Sequence, residues 1–403
     1  MGQSGRTIAT LKAPSMDFAL TDAQQQIRDQ VLRLCAKFDD IYWLERDNTA
    51  TFPHAFFDAM AESGWLGIAM PEAYGGAGLG ITEAAIMMQA VAESGAAMSG
   101  ASAIHINIFG LNPVVVYGTD EQKARMLTPL IAGKDKACFG VTEPNAGLNT
   151  TEITTRAERD GDHYRIFGTK IWTSTAQVAN KILLLARTTP LDQIKRKSQG
   201  MTLFYTELDR AHAEVRLIHK MGRHAVDSNM VFFDDMRIPV EDRVGEEGEG
   251  FRYLIHGLNP ERILIAAEAV GMGRCAIDRA ARYARERIVF GRQIGQNQAI
   301  QHPLARIWAE LEAANLMAFK ASWLYDQGQE CGVEANAAKY LAAEAGYHAC
   351  EQAVMTHGGM GYAQEFHVER LFRESLIPRI APVSRELILS YLAERVLGQA
   401  KSY

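Results

Sequence analysis

Apolar side chains recur every three or four residues through the first third of the chain, which is the spacing of an amphipathic helix. Ile27, Val31 and Leu34 show this period, and Phe56, Met60 and other apolar residues continue it. Two capping boxes predict where helices begin: Thr21 with Gln24, and Thr119 with Gln122. The second helix is expected to end near Gly133. The pattern therefore predicts a helical N-terminal domain over residues 16–135.

From about residue 136 the period changes to short runs of β-branched and aromatic residues. These runs are separated by Gly, Asp, Asn and Thr-Pro, which favour turns. They comprise residues 163–167, 181–186, 201–205 and 231–233. No long helical pattern separates them, so we predict antiparallel pairing rather than parallel βαβ units. Residues 136–243 are thus expected to form a central antiparallel β-barrel or sandwich.

Helical periodicity returns from about residue 244 and continues to the C-terminus. The predicted helices are long, with short connections, and cover residues 251–257, 261–287, 302–327, 333–357 and 386–397. Long antiparallel helices joined in this way are typical of a bundle. The predicted fold class is therefore an α+β multidomain protein, with a flexible leader at 1–15 and a C-terminal helical bundle at 244–403.

Composition narrows the class of protein. The 403 residues include 47% hydrophobic and 22% charged residues, which are ordinary globular values and exclude a disordered chain. The net charge of −6 gives no electrostatic reason to expect nucleic acid. Five cysteines without a C-x-x-C pair indicate reduced thiols. The longest apolar runs, such as 182–186, are too short to span a membrane. We expect a soluble, cytoplasmic protein.

Several common site motifs are absent from the sequence. There is no P-loop, no G-x-S-x-G and no H-E-x-x-H, and the eleven histidines do not cluster at ligand spacing. Residues 75–80 are glycine-rich but follow no clear strand, so they do not indicate a dinucleotide fingerprint. We therefore expect no metal site.

Seven segments over about residues 16–397 resemble, in order, the signature segments of the acyl-CoA dehydrogenase family. Two of them, 139–147 and 168–174, are similar to its flavin-contacting segments. The others are 71–76, 118–123, 287–292 with Gln298, 357–362 and 368–373. One such segment is weak evidence, whereas seven in the family's order are highly specific. The resemblance implies an FAD-dependent enzyme.

The same resemblance assigns residues to the cofactor. Val141 and Thr142 can offer backbone N–H groups and a hydroxyl to the isoalloxazine ring, which Trp172 can shield. The flavin-contacting residues of the two segments are Phe139, Val141, Thr142, Gly147, Leu148, Trp172, Thr173 and Ser174. Alone, Trp172 would more simply be an aromatic residue of the β-core.

A second set is expected to reach the FAD of a neighbouring subunit, which implies a homotetramer. Arg287 suits the pyrophosphate because its planar guanidinium pairs with phosphate oxygens; alone, it would be a solvated helix arginine. The remaining residues of the family's late cofactor segments are Phe290, Gln298, Gly358, Gly359, Ser384 and Glu386.

The catalytic base requires a choice. Many members carry it as a glutamate in a late segment, but ungapped alignment places Pro382 there, and proline cannot accept a proton. Isovaleryl-CoA-type and long-chain-type members carry the base in a mid-chain Glu-Arg pair, so the role transfers to Glu261. Asn259 and Arg262, with Leu148, are expected at the substrate. The alternative is that Asn259 caps a helix whose dipole Glu261 merely complements.

Other positions depart from the family pattern. Pro382 also lacks the backbone N–H that in the family helps to hold the thioester carbonyl. Either the flavin's ribityl hydroxyl carries more of that stabilisation, or a local shift supplies another donor. Leu148 replaces a usual serine, Met355 a common glutamine, and residues 224–228 differ near the substrate entrance. Because of these differences, the resemblance does not specify which acyl group the substrate carries.

The resemblance implies α,β-oxidation of an acyl-CoA to a trans-2-enoyl-CoA, as in fatty acid β-oxidation. Glu261 would remove the proton, and an electron-transferring flavoprotein would reoxidise the flavin. The alternatives are a flavin oxidase, a monooxygenase or an enoyl-CoA reductase on the same fold. A non-catalytic acyl-CoA-binding protein is a further alternative.

Overall fold

The computed structural model describes residues 18–402, and the predicted leader at 1–15 lies outside the described residues. Helices form the N-terminal part, a mixed sheet the centre and helices the C-terminal part, which confirms the predicted order. The strands form a sandwich-like sheet and not a closed barrel, so the sandwich alternative is the correct one.

From residue 18, where the described part of the chain begins, seven α-helices precede the sheet. They are α1 Asp22–Cys35, α2 Asp40–Thr49, α3 His54–Glu62, α4 Ile81–Val91, α5 Ala97–Phe109, α6 Asn112–Tyr117 and α7 Asp120–Ile131. Both predicted capping boxes are present, at Thr21 and Thr119. Residues 92–96 form a kink between α4 and α5, where Gly95 has a φ of 102°.

The helical stretch 81–117 is long and apolar enough to cross a membrane by length and composition. This stretch does not stand out in the sequence as an uninterrupted apolar run, because polar residues such as Thr82, Glu83 and Gln89 interrupt it. Within the part of the chain that the structure describes, 78% of its most apolar window is buried. Such burial is the pattern of a core helix, and α4 and α5 contribute Met87, Val91 and Ile104 to the main hydrophobic core.

The central sheet corrects one part of the prediction. Its strands are β1 Ala137–Gly140, β2 Arg156–Asp160, β3 His163–Ser174, β4 Lys181–Arg187, β5 Met201–Glu207, β6 Ala213–Leu217, β7 Ser228–Pro239 and β8 Arg243–Val244. Most neighbours are antiparallel, but β1 and β2 both pair with β4 in parallel. The β2–β3 hairpin, rather than a helix, makes the crossover from β1 to β4, so the absence of a helical pattern does not exclude parallel pairing.

The C-terminal part contains the longest helices. Its elements are α8 Gly250–His256, α9 Leu258–Glu286, β9 Ile288–Val289, β10 Arg292–Gln293, α10 Gln298–Asp326, α11 Gly332–His357, α12 Val368–Glu374, α13 Ile377–Ile380 and α14 Arg385–Arg395. Helix α9 packs against α4, α10 and α11 and is buried along most of its length. It therefore joins the N-terminal helices to the C-terminal bundle.

One glycine sets how closely α9 approaches α4. A Cβ atom at Gly271 would lie 2.2 Å from the backbone carbonyl oxygen of Gln89. That distance is far below van der Waals contact, and the atom in the way belongs to a helix backbone that cannot rotate aside. Only glycine allows the two helices to pack at this separation.

We expect Gly271→Ala to lower the free energy of unfolding by about 1–3 kcal/mol, because the added methyl group forces α4 and α9 apart. Gly257→Ala is the matched control: its Cβ would meet only ordinary contacts at 3.5 Å, and its φ is −75°. The control should change stability by less than about 1 kcal/mol, in the stabilising direction. Urea unfolding followed by circular dichroism measures both, and equal midpoints would contradict the packing argument.

Candidate active site

Two of the predicted cofactor segments lie side by side at one end of the sheet. Val141 and Thr142 follow β1 directly, and Trp172–Ser174 end β3. The backbone N–H of Ile171 donates to the carbonyl oxygen of Thr142 at 2.9 Å. Val141 and Thr142 are half-buried, whereas Gly147 and Leu148 are exposed in the loop that follows. Phe139 is half-buried on β1 itself.

A buried ion pair fixes these two segments to each other. The Lys170 ammonium donates to the Glu143 carboxylate and to the carbonyl oxygen of Val141, both at 2.9 Å. Glu143 also accepts hydrogen bonds from Thr154 and Thr155. Burial alone would raise the pKa of Glu143, but Lys170 and these donors hold it below its usual range. Both charges are thus compensated in the interior.

The end of β3 presents groups that fit a flavin. Trp172 has a φ of 60°, which is uncommon for a bulky residue, and its side chain is 56% exposed. Thr173 is buried, and its hydroxyl oxygen has no hydrogen-bond partner among the described residues. A buried hydroxyl normally has a partner. The fully buried Thr173 hydroxyl is out of reach of a ring laid against this strand. The exposed Trp172 ring and the half-buried side chains of Thr142 and Ser174 can meet such a ring, so these residues fit FAD.

Arg223 connects this end of the sheet to helix α5. Its guanidinium donates to the hydroxyls of Ser174 at 2.9 Å and of Ser102 on α5 at 3.1 Å. One turn further along α5, His105 Nδ1 lies 2.7 Å from Oε1 of Glu268 on α9. A continuous buried polar layer therefore runs from the predicted cofactor segment to α9.

Glu261 lies in the first turns of α9, close to this layer. The helix begins at Leu258, and Gly257 precedes it in helical conformation. Asn259 is therefore not the N-cap and Pro260 is not the first helical residue, so this part of the alternative is wrong. Instead, the side-chain oxygen of Asn259 accepts a hydrogen bond from Arg262 at 3.1 Å.

The environment of Glu261 is that of a buried carboxylate without a direct partner. Its Oε2 atom is buried and makes no hydrogen bond within residues 18–402. Burial raises its pKa, and the nearby charges of His105, Arg262 and Lys339 offset only part of this effect. A carboxylate held this way is a stronger base than a solvated one. By contrast, Glu386 is exposed and paired with Arg385 at 2.6 Å.

The late segment that contains Pro382 lies beside Lys339, one of the charged residues near Glu261. Lys339, buried on α11, donates to the carbonyl oxygen of Val383 at 2.5 Å. Burial lowers the pKa of Lys339 to about 8, with a further contribution from Arg262. Ser384 caps α14 by accepting from the backbone N–H of Leu387. The cap already uses the Ser384 hydroxyl as an acceptor.

The remaining predicted residues form a second group, at the far end of α9. Glu261 and Arg287 are separated by the length of the helix, about 39 Å at 1.5 Å per residue. Strands β9 and β10 form a hairpin whose turn, Phe290-Gly291, has φ values of 51° and 78°. The Phe290 ring is fully exposed at its tip, and Arg287 and Gln298 are exposed at its base.

Gly358 and Gly359 belong to this second group. The ring of His357 stacks on Tyr283 of α9 with centroids 4.3 Å apart, which places the two exposed glycines near the hairpin. Met355 is also exposed there. The chain therefore collects the predicted residues into two separate groups at opposite ends of α9.

The first group comprises the two cofactor segments and Glu261. The sequence alone does not indicate the residues that connect its members. Glu143 and Lys170 lie inside the two cofactor segments, but the resemblance gives them no role. No motif indicates the others, which are Arg223, His105, Glu268 and Lys339. One signal was available for two of these residues: His105 interrupts a mostly small or apolar stretch of the predicted helical domain, and Glu268 interrupts such a stretch of the predicted helix 261–287. Ionisable side chains at such positions are buried only when they are paired.

This chain is similar to known proteins over most of its length. Models of the acyl-CoA dehydrogenase N-terminal, middle and C-terminal domains match residues 21–134, 138–236 and 248–397. The acyl-CoA dehydrogenase FadE12 of Mycobacterium tuberculosis is 36% identical over 96% of this chain and 99% of its own length.

A second relative and a solved structure extend the comparison. The caffeyl-CoA reductase-Etf complex subunit of Acetobacterium woodii is 32% identical over 82% of this chain and 86% of its own length. The solved butyryl-CoA dehydrogenase of Megasphaera elsdenii superposes with a TM-score of 0.90 at 29% identity. It covers 95% of this chain and 100% of its own.

We expect Glu143→Gln to lower the free energy of unfolding by about 3–5 kcal/mol, because it leaves the Lys170 ammonium buried without a counter-charge. Glu214→Gln is the matched control, since Glu214 pairs with Arg216 at 2.6 Å but both side chains are exposed. The control should cost less than about 1 kcal/mol. Urea denaturation measures both changes, and equal losses in the two variants would show that burial of the Lys170 pair has no energetic weight.

Proposed function

Because this chain belongs to the acyl-CoA dehydrogenase family, and is therefore an FAD-dependent oxidoreductase acting on CH–CH bonds, we propose that it oxidises an acyl-CoA to the trans-2-enoyl-CoA. The observation that supports this reaction most directly is the buried, unpaired carboxylate of Glu261. Proton abstraction from the α-carbon of a thioester needs such a base. The wider setting would be fatty acid β-oxidation in the cytoplasm.

When bound, FAD supplies an acceptor for the hydride that leaves the β-carbon. Val141, Thr142, Trp172 and Ser174 would hold its ring. Trp172 would cover one face and exclude water.

Glu261 would take the α-proton onto its free Oε2 atom. The carboxylate must be ionised to accept it, and the raised pKa makes it a better acceptor once ionised. Residue 382 cannot help to hold the thioester oxygen, because Pro382 has no N–H. Lys339 is already bonded to Val383. The donor to that oxygen is therefore supplied from elsewhere, and the flavin's ribityl hydroxyl is the donor we propose.

A second candidate reaction is the reverse one, reduction of an enoyl-CoA. The similarity to a caffeyl-CoA reductase subunit supports it. The same relative's association with Etf also supports an electron-transferring flavoprotein as the redox partner of this chain. Anaerobic mixing of the oxidised enzyme with acyl-CoA, and of the reduced enzyme with enoyl-CoA, compares the two directions. Reactivity of the reduced enzyme with oxygen tests the oxidase and monooxygenase alternatives.

We propose a homotetramer in which one subunit completes the FAD site of another. The second group of residues supports this assembly, since Arg287, Phe290 and Gln298 are exposed beyond the far end of α9, where Arg287 is about 39 Å from Glu261 along the helix axis. Within a single chain they are too far from the first group to serve the same flavin ring. The side chain of Arg287 also makes no ion pair within residues 18–402.

We expect Glu261→Gln to retain FAD and bind acyl-CoA but to lose flavin reduction by about 100- to 10,000-fold, because glutamine cannot accept the proton. The test is bleaching of the flavin after anaerobic mixing with the best substrate of an acyl-CoA panel. In the wild type the rate should rise with pH, as Glu261 ionises above the usual carboxyl range. This rise of the rate with pH should be absent from Glu261→Gln.

Glu121→Gln is the control for a helix-dipole effect, because Glu121 also lies in the first turn of a helix. The dipole explanation predicts a stability loss of about 0.3–1 kcal/mol and near-normal bleaching for both variants. A Glu261→Gln enzyme that bleaches at the wild-type rate would therefore refute the assignment, and Glu386 would be the next carboxylate to test.

We expect Arg287→Ala to weaken FAD retention and subunit assembly together, because the guanidinium would contact a neighbour's pyrophosphate. Arg282→Ala is the matched control, since Arg282 is exposed on the same helix and pairs with Asp278 at 2.6 Å. Light scattering and the ratio of flavin to protein absorbance measure both properties. A monomeric wild-type mass with full FAD occupancy would refute the shared site.

A further inference from the structure

Among the buried atoms without partners in the polar layer between α5 and α9, three belong to the proposed base and to one neighbouring pair of side chains. They are Nε2 of His105, Oε2 of Glu268 and Oε2 of Glu261, each with no hydrogen bond inside the described part of the chain. Buried polar atoms are normally hydrogen-bonded, and each exception needs a cause. One of the three atoms belongs to the proposed base, and the other two belong to the neighbouring pair of His105 and Glu268.

The pair formed by His105 and Glu268 is fixed in orientation. His105 is 7% exposed, Glu268 is fully buried, and Nδ1 of His105 lies 2.7 Å from Oε1 of Glu268. With Nδ1–H donating to the carboxylate, the opposite ring edge, which carries Nε2, faces away from Glu268. A carboxylate that holds one imidazole nitrogen sets what the other nitrogen can do.

Helix geometry places Glu261 on the side of α9 that carries this pair. Glu261 and Glu268 are seven residues apart, two turns of α9, so they share one face and lie about 10.5 Å apart along its axis. Helix α5, which carries His105, packs against α9. The charge of His105 acts on both carboxylates.

We propose that His105, held by Glu268, is a positioning residue for Glu261: the charge of its ring favours the ionised carboxylate of the base while the acyl chain removes water from the site. The inference rests on the proposed role of Glu261. It adds an interaction that acts before the substrate binds and that involves no contact between His105 and the reacting atoms.

The surrounding charges support this role. Burial lowers the pKa of His105, but Glu268 and Glu261 outweigh it and the net shift is upward, with Arg223 opposing. Burial raises the pKa of Glu261, and among the charged groups that face it His105 opposes the increase most strongly. The others are Arg262 and Lys339, which also oppose it, and Glu268, which adds to it.

The test uses the FAD-loaded enzyme and two variants, His105→Asn and His105→Asn with Glu268→Gln. The single variant removes the imidazole and leaves the Glu268 carboxyl in place, so the pKa of Glu261 should rise. The double variant removes both charges and should shift it less. The pH midpoint of flavin reduction by the best acyl-CoA of the panel should therefore increase in the order wild type, double variant, single variant.

A second readout follows the ionisation of Glu261 without turnover. Infrared difference spectra recorded against pH contain the C=O stretch of the protonated Glu261 carboxyl, assigned by its loss in Glu261→Gln. The pH midpoint of this infrared band should increase in the same order: wild type, double variant, single variant. If Glu261→Gln bleaches normally, the proposed function fails, yet the infrared titration still reports whether His105 controls the carboxyl.

His367→Asn is the matched control. His367 also has a ring nitrogen, Nδ1, that is buried without a partner in the described chain, and burial lowers its pKa, but it faces Asp40, Arg279 and Arg370 rather than Glu261. Its φ of 60° is one that asparagine tolerates. This variant should leave both midpoints unchanged.

The double variant, whose amides can bond to each other, keeps the test valid if the single variant does not fold. Unchanged midpoints in the double variant would overturn the proposal.

Discussion

The packing of α9 is the constraint on which the rest of the structure depends. This helix is buried against α4, α10 and α11, and at Gly271 it touches the α4 backbone with no room for a side chain. Because its position is fixed along its length, the groups at both ends are fixed too. Glu261 lies at one end, beside the polar layer of α5, and the hairpin with Phe290 projects from the other. One rigid element thus relates the candidate base to the candidate subunit contact.

In the central sheet, the segment that follows β1 must be held against β3. Lys170 and Glu143 do so with opposite charges in the interior, supported by the carbonyl of Val141 and the donors of Thr154 and Thr155. The arrangement resembles the His105–Glu268 pair in one respect: each buried charge has its partner on a distant segment. Buried charges in this protein are therefore placed where segments must keep a fixed relative position.

The features that sequence could predict are the local ones. Capping boxes at Thr21 and Thr119 and the extents of the long helices follow from residues within a few positions of each other. The N-cap at Asn259 was wrong because α8 continues almost directly into α9 through Gly257 in helical conformation. The parallel pairing of β1 with β4, and the contact between His105 and Glu268, 163 residues apart, depend on the tertiary fold. No local pattern encodes them.

The parallel pairing of β1 with β4 also has a consequence for the order of synthesis. Ala137 pairs with Lys181, 44 residues later in the chain. At a translation rate of about 5–20 residues per second, β1 leaves the ribosome roughly 2–9 s before its partner. During that interval Cys138, which is fully buried in the finished sheet, has no strand to cover it. The nascent chain thus carries an unpaired apolar strand until β4 emerges.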